Sequence, residues 1–209
     1  MATKHQGITY GGNLRVPLGV SEMPVNFEAG GGLHVYTDSS WGNSAKPFGG
    51  YIIMLHNGPV DWSSKKLRIV ADSTCEAETA TASRAVKPLL FIRELLNTMG
   101  VPTRGATLFM VENQAMMQMV QKEGMTSRTR YFERATLCLF VKEAYVKGVV
   151  DLVLVSTVEE VADIFTKALD ATTFNKMKAY IFNVADKVMA ERGMKLLGKL
   201  QSAVRMFQG

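Results

Sequence analysis

The segment Leu33–Ser39, with the sequence LHVYTDS, decides the fold that this chain can adopt. It is apolar and β-branched and ends in polar residues, which predicts a β-strand. Gly49-Gly50 introduces a second apolar run, and Asn57-Gly58 after it is a residue pair that favours a tight β-hairpin. The sequence therefore predicts an antiparallel meander, with strands at Leu33–Ser39, Tyr51–Leu55 and a returning strand at Pro59–Ser63 and Leu67–Ala71.

A long helix is predicted next, from Ser73 to Met99. Ser73 is a favourable N-cap, and Glu76 three residues later has the spacing of a capping box. Apolar side chains then recur at helical spacing until Gly100 ends the run. Pro88 lies inside this segment and should kink the helix, because an interior proline cannot donate a backbone hydrogen bond.

Short apolar runs then alternate with amphipathic segments. The runs predict strands at Thr107–Val111 and Val149–Val155, and the amphipathic segments predict helices from Gln114 to near Gly124, at Arg130–Val146 and at Val158–Thr166. Strands that are joined by helical crossovers pair in parallel. The sequence therefore predicts an α/β fold, in which a mixed sheet has helices on its faces.

The size and composition are those of one globular domain. The chain has 209 residues, of which 47% are hydrophobic and 21% charged, so it can bury a full core. No run approaches the roughly 20 apolar residues of a membrane span, so we expect no membrane partner. The two cysteines, Cys75 and Cys138, lie in dissimilar contexts. This favours a reduced, intracellular compartment over an oxidising one, where disulfide frameworks are usual.

The formal net charge of +5 is unevenly distributed. Residues 1–169 contain 17 Lys and Arg against 16 Asp and Glu, whereas residues 170–209 contain 7 against 3. Charge alone is therefore weak support for nucleic-acid binding by the body of the chain. Apolar residues recur at helical spacing in 170–209, so we expect a basic helical extension whose first half packs on the domain. The role of its last part stays open.

Four acidic residues stand at the ends of predicted strands or the starts of predicted helices: Asp38, Glu76, Glu112 and Asp163. In an open α/β sheet these ends converge on one crevice. Carboxylates clustered without His or Cys suit a hard ion such as Mg²⁺, and two such ions could act on a phosphodiester. Taken singly, each acid also has a structural interpretation, as a capping-box acid (Glu76), a helix-surface residue (Asp163), a residue favoured by a helix dipole (Glu112) or part of an Asx-turn (Asp38).

Longer motifs surround these acids and follow one another in a fixed order: Tyr36–Trp41 (YTDSSW), Pro59–Lys66 (PVDWSSKK), Ser73–Glu78 (STCEAE), Glu112–Gln114 (ENQ), Ser127–Arg130 (SRTR) and Ala162–Lys167 (ADIFTK). Together they resemble the ribonuclease H domain of copia-type LTR retrotransposon polyproteins, over roughly residues 4–184. The resemblance implies a ribonuclease H-like mixed five-stranded sheet, with an antiparallel meander and parallel strands flanked by helices. It also implies a connector from reverse transcriptase at 1–31, the ribonuclease H domain at 32–169 and the basic extension at 170–209.

The implied reaction is endonucleolytic hydrolysis of the RNA strand of an RNA–DNA hybrid during reverse transcription, which leaves 5′-phosphate and 3′-hydroxyl ends. Asp38, Glu76, Glu112 and Asp163 are the implied catalytic residues and ligands of two Mg²⁺ ions, or of Mn²⁺ as a substitute, with Glu76 favoured over Glu78. The expected partners are the hybrid and the reverse transcriptase domain of the same polyprotein, with no small-molecule cofactor, in a cytoplasmic virus-like particle or the nucleus. Contacts to the hybrid are implied at Ser39, Ser73, Thr74, Cys75, Asn113, Gln114, Arg128 and Arg130.

Two alternatives stay open. The resemblance implies that Arg128 and Arg130 contact phosphates, and the alternative is that they only cap or solvate the helix that begins there. Glu112 stands where the family has aspartate, and one extra methylene can displace an ion that demands near-octahedral geometry. We expect the backbone to compensate and the activity to survive. The alternative is a catalytically weakened module that only binds nucleic acid.

Overall fold

The computed structural model describes residues 32–41, 46–56, 58–122 and 132–182. The predicted connector at 1–31, the predicted phosphate contacts Arg128 and Arg130, and the part of the extension after residue 182 lie outside these ranges. Across the described ranges, every helix is too short or too polar to cross a bilayer.

Three antiparallel strands open the domain. They are β1 (Leu33–Ser40), β2 (Phe48–Leu55) and β3 (Gly58–Lys66), with β2 in the middle. The end of the meander differs from the prediction, because Leu67–Ala71 follows β3 and does not belong to it. Leu67 and Ala71 pack instead against alanines of the next helix, so their apolar character reflects helix packing and not strand pairing.

Two further strands complete the sheet, β4 (Thr107–Val111) and β5 (Val150–Leu154). The strand order is β3-β2-β1-β4-β5, and β4 runs parallel to both β1 and β5. The predicted mixed five-stranded sheet is therefore confirmed.

The helices lie between and after these strands: α1 (Thr74–Thr98), α2 (Gln114–Gln121), α3 (Phe132–Val146), a 3-10 helix (Val161–Phe165) and α4 (Ala171–Ile181). Pro88 lies inside α1, which continues past it for ten residues. The helix predicted at Val158–Thr166 is shorter than expected, since only the 3-10 turn forms.

Each face of the sheet has its own core, because successive side chains of a strand point to opposite faces. On one face, Val35 and Phe109 pack with residues of α1, α2 and α3. On the other face, Tyr36 and Met110 pack with the 3-10 helix and with Met177 of α4.

Two adjacent glycines let both helical layers approach β2. A Cβ on Gly49 would lie 2.4 Å from Thr81 Oγ1 of α1, and a Cβ on Gly50 would lie 2.6 Å from Phe165 Cβ of the 3-10 helix. Gly50 is also the pairing partner of Asp38 in β1. The missing side chain at Gly50 therefore allows the 3-10 helix to lie against the end of β1.

Candidate metal centre

Three carboxylates from distant parts of the chain meet at one end of the sheet. Asp38 lies near the end of β1, Glu112 directly follows β4, and Asp163 belongs to the 3-10 helix. One oxygen from each of the three lies within 4.8 Å of the others. The position of Asp38 beside Glu112 follows from the parallel pairing of β1 with β4. Thr37 pairs with Val111, so the residues that come next in the chain, Asp38 and Glu112, lie side by side. The predicted convergence of these three acids is what the structure shows.

Burial and mutual repulsion dominate the electrostatics of this cluster. Asp38 is 1% exposed and Asp163 is 4% exposed. Burial, with the charge of Asp38, raises the pKa of Asp163 to about 6, although a hydrogen bond from Lys167 lowers it. The proximity of these carboxylates therefore destabilises the folded protein unless a cation neutralises part of their negative charge.

One cation of the chain is already present in the cluster. Lys167 Nζ lies 2.7 Å from Asp163 Oδ1, 3.3 Å from Asp38 Oδ1 and 3.5 Å from Glu112 Oε2. Burial lowers the pKa of Lys167, but its hydrogen bond to Asp163 and the surrounding negative charges outweigh that effect and raise it. The Lys167 side chain is therefore an ammonium group at neutral pH.

A fourth carboxylate of the site comes from Glu78 of α1, which is 6% exposed. Its Oε1 accepts hydrogen bonds from the backbone N–H of Ser39 at 3.0 Å and from the Ser39 hydroxyl at 2.8 Å. Burial and the charge of Asp38 raise the pKa of Glu78 to about 8, with a smaller contribution from Glu112. Its second oxygen is buried and has no hydrogen-bond partner among the described residues, so it is available to a bound cation.

The predicted second acid, Glu76, lies two residues before Glu78 on α1, and in the structure Glu78 is the one whose carboxyl group interacts with Asp38 and Glu112. The Glu76 carboxylate accepts a hydrogen bond from the Asp72 backbone N–H at 2.8 Å, and the Glu76 N–H donates to the Ser73 hydroxyl at 3.3 Å. Glu76 thus takes part in the hydrogen bonds at the start of α1, and the group of three carboxylates consists of Asp38, Glu112 and Asp163. Two residues along a helix correspond to a rotation of about 200°, so Glu76 and Glu78 point in nearly opposite directions.

A signal for Glu78 was present in the sequence. Leu89, Ile92 and Leu96 lie on the face of α1 that packs on the sheet. Continuing that stripe toward the N-terminus in steps of three and four residues reaches Ala85, Ala82 and then Glu78. Glu78 is therefore the acid that α1 turns toward the sheet.

Side chains from the flanking loops hold two of the ligand candidates. The Thr157 hydroxyl donates to Glu112 Oε1 at 2.7 Å, and the Thr166 hydroxyl donates to Asp38 Oδ2. The Ser64 hydroxyl also donates to the Phe165 carbonyl at 2.5 Å, which ties the 3-10 helix to β3. Sequence reasoning missed these three hydroxyl groups, because no spacing rule connects residues that are so far apart in the chain.

A fifth carboxyl group, Glu160, lies beneath the site and is fully buried. Its Oε1 accepts a hydrogen bond from the Ala162 N–H at 2.9 Å and so caps the 3-10 helix. Burial, together with the charges of Asp38 and Asp163, raises the pKa of Glu160 well above its usual range. Burial therefore disfavours ionisation of Glu160, and its hydrogen bond to Ala162 supports the 3-10 helix that carries Asp163.

The residues predicted to contact a nucleic acid fall into two groups. Ser73 and Thr74 at the start of α1, and Gln114 at the start of α2, are exposed. Ser39 is buried, and its hydroxyl donates to Glu78 Oε1 at 2.8 Å, so it orients that carboxyl group. Asn113 is the N-cap of α2 and accepts from the Met116 N–H at 2.9 Å.

Cys75 is only partly exposed, and burial raises the pKa of its thiol. It packs against the core that lies between α1 and the sheet. A contact from this residue to a ligand would therefore come from its backbone, as the sequence interpretation assumed.

The donor set fits hard divalent cations. Asp38, Glu78, Glu112 and Asp163 offer only carboxylate oxygens, which Mg²⁺ and Mn²⁺ prefer. The buried oxygen of Glu78 that has no hydrogen-bond partner among the described residues supports the same fit. The extra methylene of Glu112 does not remove its carboxylate from the cluster.

No family model matches the sequence. Among curated proteins, the chain is 28% identical over 152 residues to the retrovirus-related Pol polyprotein from transposon RE1 of Arabidopsis thaliana, which covers 71% of this chain and 10% of that protein. It is 24% identical over 157 residues to the Pol polyprotein from transposon TNT 1-94 of Nicotiana tabacum, with 71% and 11% covered. The chain thus spans about a tenth of the length of these relatives.

Ribonuclease H domains are among the solved structures that resemble this chain. An RNase H1 isolated from compost has a TM-score of 0.49 and 18% identity, and covers 69% of this chain and 96% of its own. The N-terminal RNase H domain of a Mycobacterium tuberculosis protein has a TM-score of 0.45 and 10% identity, with 70% and 95% covered. By sequence, the relatives of this chain are Pol polyproteins of plant transposons, and the predicted resemblance to this class of retroelement is confirmed.

Proposed function

We propose that this chain is a metal-dependent ribonuclease H, which hydrolyses the RNA strand of an RNA–DNA hybrid and leaves 5′-phosphate and 3′-hydroxyl ends. The observation that carries the proposal is the convergence of Asp38, Glu112 and Asp163 within 4.8 Å at one end of the sheet. Glu78 adds a fourth carboxylate whose pKa responds to the charges of Asp38 and Glu112. Carboxylates that cluster at the end of a sheet in this way can hold the paired metal ions that hydrolyse phosphodiesters.

In this proposal the four carboxylates hold two Mg²⁺ ions, or Mn²⁺ ions, against the scissile phosphate. Such ions supply an activated water and stabilise the leaving 3′-oxygen. The residues of the chain keep the ligands in place: Thr166 holds Asp38, Thr157 holds Glu112, and Ser39 holds Glu78. These hydrogen bonds orient each carboxylate before any ion binds, which is how second-layer partners usually support a metal site.

Selectivity for RNA would come from the exposed helix starts that flank the carboxylates. The backbone of Ser73, Thr74 and Cys75 at the start of α1 would meet the 2′-hydroxyl groups, the feature that separates RNA from DNA. Gln114, exposed at the start of α2, would reach the minor groove. We propose that the partner in the cell is the reverse transcriptase domain of the same polyprotein, inside a cytoplasmic particle or the nucleus.

The direct test is release of fragments from an end-labelled RNA–DNA hybrid in Mg²⁺ or Mn²⁺, with RNA–RNA and DNA–DNA duplexes as controls. Asp163→Asn and Glu78→Gln should each lower cleavage by about 100-fold or more, because an amide cannot supply the negative charge that each carboxyl group would give to a bound metal ion. Glu76→Gln is the matched control on the same helix and should stay close to wild type. A hybrid that binds but stays intact in both metals would favour a binding module instead.

Glu112 has a test of its own. Because its carboxylate is already in the cluster, Glu112→Asp should change turnover only modestly, whereas Glu112→Gln should abolish it. A many-fold gain with aspartate, together with no loss with glutamine, would show that Glu112 is not a working ligand.

A further inference from the structure

Lys167 occupies the position that a metal ion would need. Its ammonium group lies within 3.5 Å of one oxygen each from Asp38, Glu112 and Asp163. These are the same three residues that form the carboxylate cluster. A Mg²⁺ ion binds carboxylate oxygens at about 2.0–2.1 Å, so an ion among these oxygens would nearly touch the ammonium nitrogen.

The position of Lys167 is built into the fold. Its backbone N–H donates to the Asp163 carbonyl at 2.9 Å, and the side chain then reaches the carboxylate of the same residue. The preceding Thr166 bonds to Asp38, and the Phe165 carbonyl accepts from Ser64. The segment that carries Lys167 is therefore fastened to the sheet at two points.

A surface lysine of the same chain shows the contrast. Lys147 pairs with one carboxylate, Glu143, and the two side chains are 65% and 57% exposed. The Lys167 side chain is 33% exposed and pairs with carboxylates that are mostly buried, among them Asp38 at 1%. Lys147 is therefore a natural control for loss of one positive charge.

The charges of the cluster, like the distances, indicate that Lys167 and two metal ions cannot occupy the site together. The three ionised carboxylates carry three negative charges, and Lys167 reduces this to two. One divalent ion would then neutralise these three carboxylates, whereas two ions beside the ammonium would leave an excess of positive charge even if Glu78 were also ionised. Like charges a few ångströms apart in a partly buried site repel strongly.

We propose that Lys167 is an internal counter-ion of the carboxylate cluster, which divalent ions must displace in order to bind. The inference rests on the proposed metal-dependent function and adds a regulatory element to that site. Lys167 neutralises part of the negative charge of the carboxylates while no metal is bound. Because it competes for the same oxygens, it also weakens the affinity of the site for metal ions. The enzyme consequently needs a higher concentration of free metal than its carboxylates alone would require.

The test is Mn²⁺ binding, measured by calorimetry without nucleic acid, for wild type, Lys167→Met and the control Lys147→Met. Lys167→Met should bind Mn²⁺ at least about tenfold more tightly than wild type, because the competing charge is gone. Lys147→Met should match wild type. Without metal, Lys167→Met should melt at a lower temperature than Lys147→Met, and Mn²⁺ should remove this difference.

A second measurement uses the wild-type protein and does not depend on the folding of a variant. Acetylation of individual lysines is followed by peptide mass spectrometry with and without Mn²⁺. Displacement predicts that Mn²⁺ increases labelling of Lys167 several-fold and leaves Lys147 unchanged. The inference about Lys167 would be overturned, and the proposed function left intact, if wild type and Lys167→Met bound Mn²⁺ with equal affinity. The same holds if Mn²⁺ did not change the labelling of Lys167. Absence of Mn²⁺ binding in all three proteins would overturn the proposed function as well.

Discussion

Replacement of Glu78 by glutamine should make the metal-free protein more stable while it removes the activity. Glu78 is buried with one oxygen on Ser39, and burial together with the charge of Asp38 raises its pKa to about 8. In the unfolded chain the same group has its ordinary pKa near 4.5. Folding therefore retains a proton that the unfolded chain has already released at neutral pH.

The sign and size of the effect follow from this difference in bound protons. Between pH 4.5 and about 8 the native state holds more protons than the unfolded state, so the free energy of unfolding falls as the pH rises. The slope for one group is at most about 1.4 kcal/mol per pH unit, which amounts to about 3 kcal/mol between pH 5 and pH 7. Glutamine cannot ionise, so Glu78→Gln should gain this much relative to wild type over that range.

The assay is urea unfolding in EDTA, followed by circular dichroism at several values between pH 5 and pH 8. Glu76→Gln is the control, since its side chain caps α1 and should give a difference from wild type that does not vary with pH. Addition of Mg²⁺ should stabilise wild type and leave Glu78→Gln almost unchanged. Parallel stability curves for wild type and Glu78→Gln across this pH range would refute the reasoning.

Three other predictions follow from the site. Gly50→Ala would place a Cβ 2.6 Å from Phe165 Cβ, so the 3-10 helix must move. The free energy of unfolding in urea titrations should fall by about 1–3 kcal/mol, and hybrid cleavage should be reduced. Cleavage at the wild-type rate would contradict this. Glu160→Gln should be more stable than wild type at pH 8, and this gain in stability should shrink toward pH 5, because the buried acid cannot ionise without loss of stability. Thermal melts at both pH values check this, and a difference in melting temperature that does not vary with pH would contradict it. Since the pKa of Glu78 is raised to about 8 and that of Asp163 to about 6, Mn²⁺ affinity measured by calorimetry should fall as the pH drops below 8 and fall more steeply below 6. A decline that is no steeper between pH 6 and pH 5 than above pH 6 would exclude Asp163 as a ligand.

The elements of this fold follow from local patterns in the sequence. The run Thr107–Val111 is a strand with the predicted bounds, since five successive apolar residues suit a strand covered on both faces. Asp38 and Glu112 could also be placed from the sequence, because an acid in the last residues of a buried strand, or directly after one, stands at the end of the sheet. Short-range rules are sufficient for such features, since they depend on neighbours in the chain.

The composition of the pocket was decided by the tertiary structure. Glu76 and Glu78 differ by two positions, and only the rotation of α1 against the sheet determines which of them faces Asp38. Lys167 likewise gains its role from contacts with Asp38 and Glu112, which are more than fifty residues away in the sequence. Raised pKa values and a shared counter-ion arise only when separate segments enclose the same small volume, because charges interact through space and burial strengthens that interaction.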